Sequence, residues 1–347
     1  MADTEVVLVG AGVMGLATAH TLAAAGRDVV VLEQFTVGHD RGSSHGSSRI
    51  FRLSYPDVAW VRLCQEALPL WRQLEAEAGE TLLERRGTVD FGGWELNRAA
   101  LADAGAAHAV LGADELRRRF GLRAGGGELA LWQPDGGIVH AERAQRALAA
   151  AAAARGALLV EGARVESFAS TADGIRVDAG AAGSYTSRNV VVTAGAWAPA
   201  LLAPLGIELR VAVTRETVSY YRHDTGDEPL PSVIEIANER EPAYALAAPD
   251  VGVKAGLHHS GAHAAPDEPS APDTELAVRT AAWVARRFAG SEPLERAETC
   301  LYTTTEDEGF VLERHGRVVV GSPCSGHGFK FAPVVGRRLA ALVAAAD

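Results

Sequence analysis

EVVLVGAGVMGLATAHTLAAAGRDVVVLEQ, residues 5–34, reads as a strand, a glycine turn, a helix and a second strand. The run Glu5–Val9 has the apolar, β-branched content of a buried strand. Gly10, Gly12 and Gly15 follow at GxGxxG spacing, and the segment up to Gly26 predicts an amphipathic helix. Asp28–Leu32 is the second strand, closed by Glu33. Gly10 permits the tight turn, Gly12 lets the backbone approach a pyrophosphate, and Gly15 lets the helix pack closely on the strand. The helix N-terminus adds free N–H groups and a partial positive charge for the phosphates. Glu33, 18 residues past Gly15, stands where a carboxylate accepts hydrogen bonds from a ribose. Together these features make a dinucleotide-binding βαβ unit and predict an α/β protein with a Rossmann-like domain. They leave NAD and FAD both open.

The next block is GSSHGSSRIFRLSY, residues 42–55. Gly42–Ser48 is too rich in glycine and serine for regular structure, so it is a loop whose N–H and hydroxyl groups, Ser43 and Ser44 among them, are available to a ligand. Arg49 and Arg52 follow three residues apart. Beyond Pro56 a helix sets Trp60, Cys64, Ala67, Leu68, Trp71 and Leu74 on one face, which makes Cys64 a small core residue. Strand-like runs at Arg85–Trp94 and Leu129–Gln133 flank a charged helix at Asp114–Arg119, and residues 134–157 are a turn followed by an alanine-rich helix. NVVVTAGAWAPALL, residues 189–202, is a strand entering a turn at Ala194, Gly195 and Ala196, a place where a dinucleotide fold can return to its ligand. Gly206–Arg296 is strand-rich, broken at residues 260–275 by SGAHAAPDEPSAPDTE, expected to be a solvated excursion. In residues 318–343, VVVGSPCSGHGFKFAPVVGRRLAALV, a strand reaches a glycine-rich turn and Pro333 suits the first turn of a helix. Gly326, Gly328, Phe329 and Lys330 therefore stand at a helix N-terminus, where developing negative charge is favoured.

Composition narrows the function. The 347 residues are 48% hydrophobic and 22% charged, enough for one large core or two. A net charge of −11 argues against nucleic acid or anionic membrane as a partner. No apolar run approaches the roughly 20 residues of a membrane span, and strand-forming residues occupy the N-terminus where a signal peptide would lie, so a cytoplasmic protein is expected. Cys64, Cys300 and Cys324 form no CxxC pair and no disulfide framework, and no metal site is expected.

GAGVMG, GSSHGSSRIFR, VKAGLHH, CLYT and GHGFKF occur in an order and spacing that resemble the monomeric sarcosine oxidase family, which includes N-methyltryptophan oxidase and other secondary amino acid oxidases. The resemblance runs over nearly the whole chain and is most specific in the GSSHG loop with its arginines and in the CLYT and GHGFKF pair. It implies FAD, held by Gly10, Gly12, Gly15, Glu33, Ser43, Ser44, Gly326, Gly328 and Phe329. Cys300 matches the cysteine that attaches the flavin through a thioether, and Cys324 is its nearby rival. Arg52 and Lys330 match the clamp for the substrate carboxylate, Lys254 the lysine that activates oxygen, Arg49 and His45 residues beside the flavin ring, and Tyr302 and His258 residues that shape the pocket. The implied fold is a discontinuous FAD-binding domain, residues 1–83, 134–205 and 308–347, with an inserted, mainly antiparallel substrate domain, residues 84–133 and 206–307. The implied reaction is hydride transfer from the carbon beside a secondary amine to the flavin, giving an imine and hydrogen peroxide in a monomeric enzyme. A flavin dehydrogenase passing electrons to a carrier and a biosynthetic imino acid oxidase are the alternatives. Ser47 and Ser48 replace an acidic and threonine pair, and the segment after Lys330 is shorter than the family pattern, which bears on pocket closure and substrate.

Overall fold

Five parallel strands form the centre of the first sheet, in the order Leu158–Val160, Val29–Leu32, Thr4–Val9, Ser184–Val192, Val318–Ser322. The computed structural model describes residues 3–223, 229–236, 241–249, 251–290 and 293–345. Val6, Val7, Leu8 and Val9 are all buried, as expected of a parallel strand covered on both faces. Helix Val13–Ala24 lies between this sheet and helices Ala141–Ala154 and Ala332–Ala344. It is not amphipathic: eight of its residues, from Val13 and Leu16 to Leu22 and Ala23, are buried around most of its circumference. A helix with sheet on one side and helices on the other has no face to give to water.

The second large sheet is built around Ala212–Arg222, which pairs antiparallel with Leu294–Thr304 and with Gly252–Leu257. It continues through Ala243–Ala248, Ser232–Glu235, Thr88–Phe91, Leu129–Gln133 and Ala109–Gly112. One pairing, Ser232–Glu235 with Thr88–Phe91, is parallel and the others are antiparallel. Helix Thr274–Arg287 packs on it, capped by the Asp273 carboxylate accepting from Glu275 and Leu276 N–H. A small sheet of Ser48–Phe51, Gly137–His140 and Leu83–Arg85 packs against strand Ala243–Ala248 of the second sheet and against helix Ala141–Ala154.

The segment 260–275 is pinned down rather than a free excursion. Ala262–His263 pairs with Ala212–Arg222, Arg215 donates to the carbonyls of Ala265, Glu268 and Pro269, and Trp197 Nε1 donates to Asp267 at 2.8 Å. Exposed side chains and a tied backbone coexist because the polar backbone groups find partners in the strand beneath. Among the described residues, no helix is long and apolar enough to cross a membrane.

Candidate active site

A cleft of about 330 Å³ opens at the carboxyl ends of the parallel strands, lined by Gly10, Gly12, Glu33, Ser43, Ser44 and the turn Ala194–Trp197. Gly10 has φ +98°, and a Cβ there would lie 2.8 Å from Thr193 O. Gly15 lies beneath, where a Cβ would come within 2.0 Å of Gly10 O, so close helix–strand packing requires glycine. Glu33 is buried and accepts from Ala11 N–H at 2.7 Å and Phe35 N–H at 2.9 Å, which fixes its carboxylate beside the turn. Ser44 Oγ accepts from Val13 N–H at 3.1 Å, supplying a cap that Gly12 lacks.

The cleft shares Val13, Ser43, Ser44 and Cys324 with a larger cavity of about 730 Å³. His45, Arg49, Arg52, Lys254, His258, Cys300, Tyr302, Gly326, Gly328, Phe329 and Lys330 all line it. The loop 42–48 is held against strand Leu294–Thr304 by Ser43 Oγ donating to Leu301 O and His45 Nε2 donating to Thr299 O at 2.9 Å. Arg49 spends its donors on the carbonyls of Ser43, His45 and Ser48, so it organises this loop while its charge faces the cavity. Burial, then Arg49 and Lys254, lower His45 to about 4, leaving it neutral, and its Nδ1 has no partner.

Two lysines approach the cavity from opposite elements. Lys254, on strand Gly252–Leu257, is 5% exposed and donates to Ser48 O at 3.1 Å. Burial and then Arg49 pull its ammonium down to about 7. Lys330 is 3% exposed and donates to the Tyr55 hydroxyl oxygen at 2.9 Å and to the His327 carbonyl. Burial likewise lowers it to about 7, with Cys64 opposing and Arg52 adding. Arg52 lies over the Tyr55 ring at 4.5 Å. Among the described residues, Arg52, Lys254 and Lys330 have no carboxylate ion-pair partner. Asp90 acts on Arg52 and Glu298 on Lys254 only at longer range, so none of the three is met by a direct ion pair, an arrangement able to receive a negative charge.

The cysteines divide clearly. Cys64 is wholly buried, donates to Arg52 O at 3.0 Å and is pushed up to about 12 by burial. Cys300 lines the cavity, with Sγ only in long contact with Ser43 O at 3.8 Å and Leu301 O at 3.9 Å. Burial raises its pKa, against the pull of Arg49 and Lys254. Cys324 is half-buried on the same cavity. Tyr302 and His258 meet at 3.5 Å, with Tyr244 edge-on to His258.

Tyr55 and His327 are site residues that the sequence reading missed. Lys330 Nζ donates to Tyr55 Oη, Tyr55 Oη–H donates to His327 Nδ1 at 3.1 Å, and His327 Nε2–H donates to the Glu308 carbonyl at 3.0 Å. Their signal was proximity alone: Tyr55 is three residues past Arg52, and His327 lies inside GHGFKF.

Known proteins resemble this chain over nearly its whole length. Residues 5–342 match the model of the FAD dependent oxidoreductase family. Peroxisomal sarcosine oxidase of Mus musculus is 34% identical, over 96% of this chain and 90% of that enzyme. Monomeric sarcosine oxidase of Bacillus sp. (strain B-0618) is 31% identical, over 97% of this chain and 91% of its own. Among solved structures, NikD, an unusual amino acid oxidase essential for nikkomycin biosynthesis, superposes with a TM-score of 0.88 at 29% identity, covering 98% of this chain and 93% of its own.

Proposed function

The chain belongs to the FAD-dependent oxidoreductase family, among its sarcosine oxidase relatives, and from that premise we propose that it oxidises a secondary amino acid, N-methylated or cyclic, with oxygen as acceptor. The residues present fit FAD: the cleft at Gly10, Gly12 and Glu33 suits the nucleotide, and the cavity at His45, Arg49 and Phe329 suits the ring. When bound, FAD supplies the two-electron acceptor for a hydride leaving the carbon beside the amine, giving an imine, and delivers the electrons to oxygen as hydrogen peroxide.

The observation that carries the reading is the unpaired trio of Arg52, Lys254 and Lys330 around one cavity. Arg52 offers a planar fork to the substrate carboxylate, and Lys330 adds a point charge fixed by Tyr55. Their pull sets the amine-bearing carbon toward the middle of the cavity, with Tyr302 and His258 as its wall. Lys254 stands apart from the clamp and supplies the cation that stabilises negative charge forming on oxygen. Arg49 holds a fixed charge beside the ring, and Cys300 carries the covalent link to the flavin.

Anaerobic bleaching of the flavin by N-methyl and cyclic amino acids, but not by the parent primary amino acids, is the expected result. Bleaching by primary amino acids alone would overturn the substrate class. Retained bleaching without peroxide in air would favour the dehydrogenase alternative. Acid precipitation tests the link: yellow colour stays in the pellet and maps to the Cys300 peptide, whereas release to the supernatant would leave the flavin noncovalent. The same reading takes residues 1–83, 134–205 and 308–347 as the FAD-binding domain and 84–133 and 206–307 as the substrate domain, supported by the nine-stranded sheet drawing its strands from 88–133 and 212–304. It also takes the enzyme as a cytoplasmic monomer, which size-exclusion chromatography and cell fractionation test.

A further inference from the structure

Among the described non-glycine residues, His259, Glu308 and Ser325 have left-handed backbone, with φ of 55°, 56° and 39°. Such conformations are costly for residues with a Cβ and persist where the surroundings over-determine them. The first two meet at the mouth of the larger cavity, His259 Nε2 lying 3.6 Å from Glu308 Oε1. The turn bearing Glu308 is fixed from several sides. Glu308 N–H donates to Thr305 O at 3.1 Å, Asp307 accepts from Gly309 N–H at 2.9 Å, Ser325 Oγ donates to Gly309 O at 3.2 Å, and His327 holds the Glu308 carbonyl. His258, one residue before His259, brings a third donor: ligating atoms of His258, His259 and Glu308 all lie within 4.8 Å of one another. Tyr302 Oη lies 3.5 Å from His258 Nδ1, a contact that orients the ring, so Nε2 is the nitrogen that would ligate.

We propose that His258, His259 and Glu308 form a divalent-metal site at the cavity mouth, and that Zn²⁺ bound there closes the route to Arg52 and Lys330. Two imidazoles and one carboxylate, with a position left open, are a donor set that zinc accepts, and imidazole disfavours magnesium and calcium. The sequence reading expected no metal because the three ligands are divided between HH and a distant glutamate, without a ligand spacing to read. Metal binding stands independently of the oxidase reading, while closure of the substrate route rests on it.

The test is equilibrium dialysis of EDTA-treated holoenzyme against zinc chloride. One zinc per chain is expected, with affinity falling at least about tenfold in Glu308→Gln and in His259→Asn. Both variants should keep the wild-type circular dichroism spectrum. In the oxidase assay, zinc raises the apparent KM without changing kcat, EDTA reverses this, and Glu308→Gln resists it. Absence of bound zinc, or affinity unchanged in both variants, overturns the site. Zinc that binds as expected but leaves KM untouched overturns the closure. Dialysis reports the site even if no amino acid is oxidised, so the two readings fail separately.

Discussion

Lys254 and Lys330 share almost the same burial and the same lowered pKa, yet their surroundings separate their roles. Among the described residues Lys254 has a single protein acceptor, Ser48 O, while Lys330 is locked into the chain of Tyr55, His327 and Glu308. Lys254→Met is therefore expected to slow reoxidation of the reduced flavin by oxygen by about two orders of magnitude, the scale of a lost charge-stabilising donor, and to slow reduction by substrate far less. Stopped-flow of the two half-reactions decides it, and equal slowing would remove Lys254 from the oxygen step. For Lys330 the sign follows from its lowered pKa: the ammonium is fully present below pH about 7 and lost above it. A carboxylate competitor without an amine should bind tightest below that pH and weaken by about tenfold toward pH 9, the worth of a charge-assisted pair of about 1.5 kcal/mol. Flavin difference spectra measure this, and Lys330→Met should flatten the profile. Residue type alone does not mark either lysine as a candidate. A buried lysine and a solvated one look the same in sequence, and the two were singled out through their motifs.

At the scale of elements, the opening βαβ unit was legible because its constraints are local. Gly15 answers to the Gly10 carbonyl five residues back, and Gly10 takes the positive φ of the turn itself, while the Thr193 strand end closes on both from a remote segment. Gly15→Ala would place a methyl 2.0 Å from Gly10 O and 2.7 Å from Thr193 Oγ1, forcing helix Val13–Ala24 off the sheet. The expected outcome is a protein destabilised by about 1–3 kcal/mol that purifies with little flavin, read from the ratio of visible to ultraviolet absorbance and from thermal unfolding. Unchanged flavin content would mean that the turn has slack. Other elements were misread for reasons that are equally physical. Helix Val13–Ala24 is buried nearly all round because later helices cover it, which its own periodicity cannot disclose. Helix Thr274–Arg287 interrupts the region Gly206–Arg296 expected to be strand-rich, and Asp273 followed by Leu276, Ala277, Thr280, Trp283, Val284 and Arg287 carries its cap and helical spacing.

At the scale of the molecule, two distant excursions of the chain must join into one sheet. Arg287 helps to join them: it is 6% exposed, donates to Glu235 at 2.7 Å and to both oxygens of Glu128 at 2.7 and 2.8 Å, and lies 3.9 Å from the Phe91 ring centre. Arg287→Met would leave the buried Glu235 carboxylate with Trp283 Nε1 as a donor but without its nearest cation, at a cost of about 3–5 kcal/mol. Chemical denaturation should show that loss while the folded variant keeps the substrate affinity of the parent. A loss below 1 kcal/mol would mean that Arg286, 3.6 Å from Glu235, takes over the pairing.

What the sequence determined by itself was whatever depends on neighbours along the chain: the glycine turn, the strand and helix on either side of it, the loop 42–48, and Pro333 starting the last helix. Motif order carried the family and, through it, the candidate site residues. Helical spacing already made Cys64 a core residue, and only the tertiary structure decided which of the other residues share a cavity, which charges lack a direct ion pair, and that Cys300 and Cys324 line that cavity. Burial and pairing are sums over contacts from remote segments, and Lys254, Cys300, Arg52 and Lys330 acquire their electrostatic character only when four separate stretches of chain exclude water from one cavity.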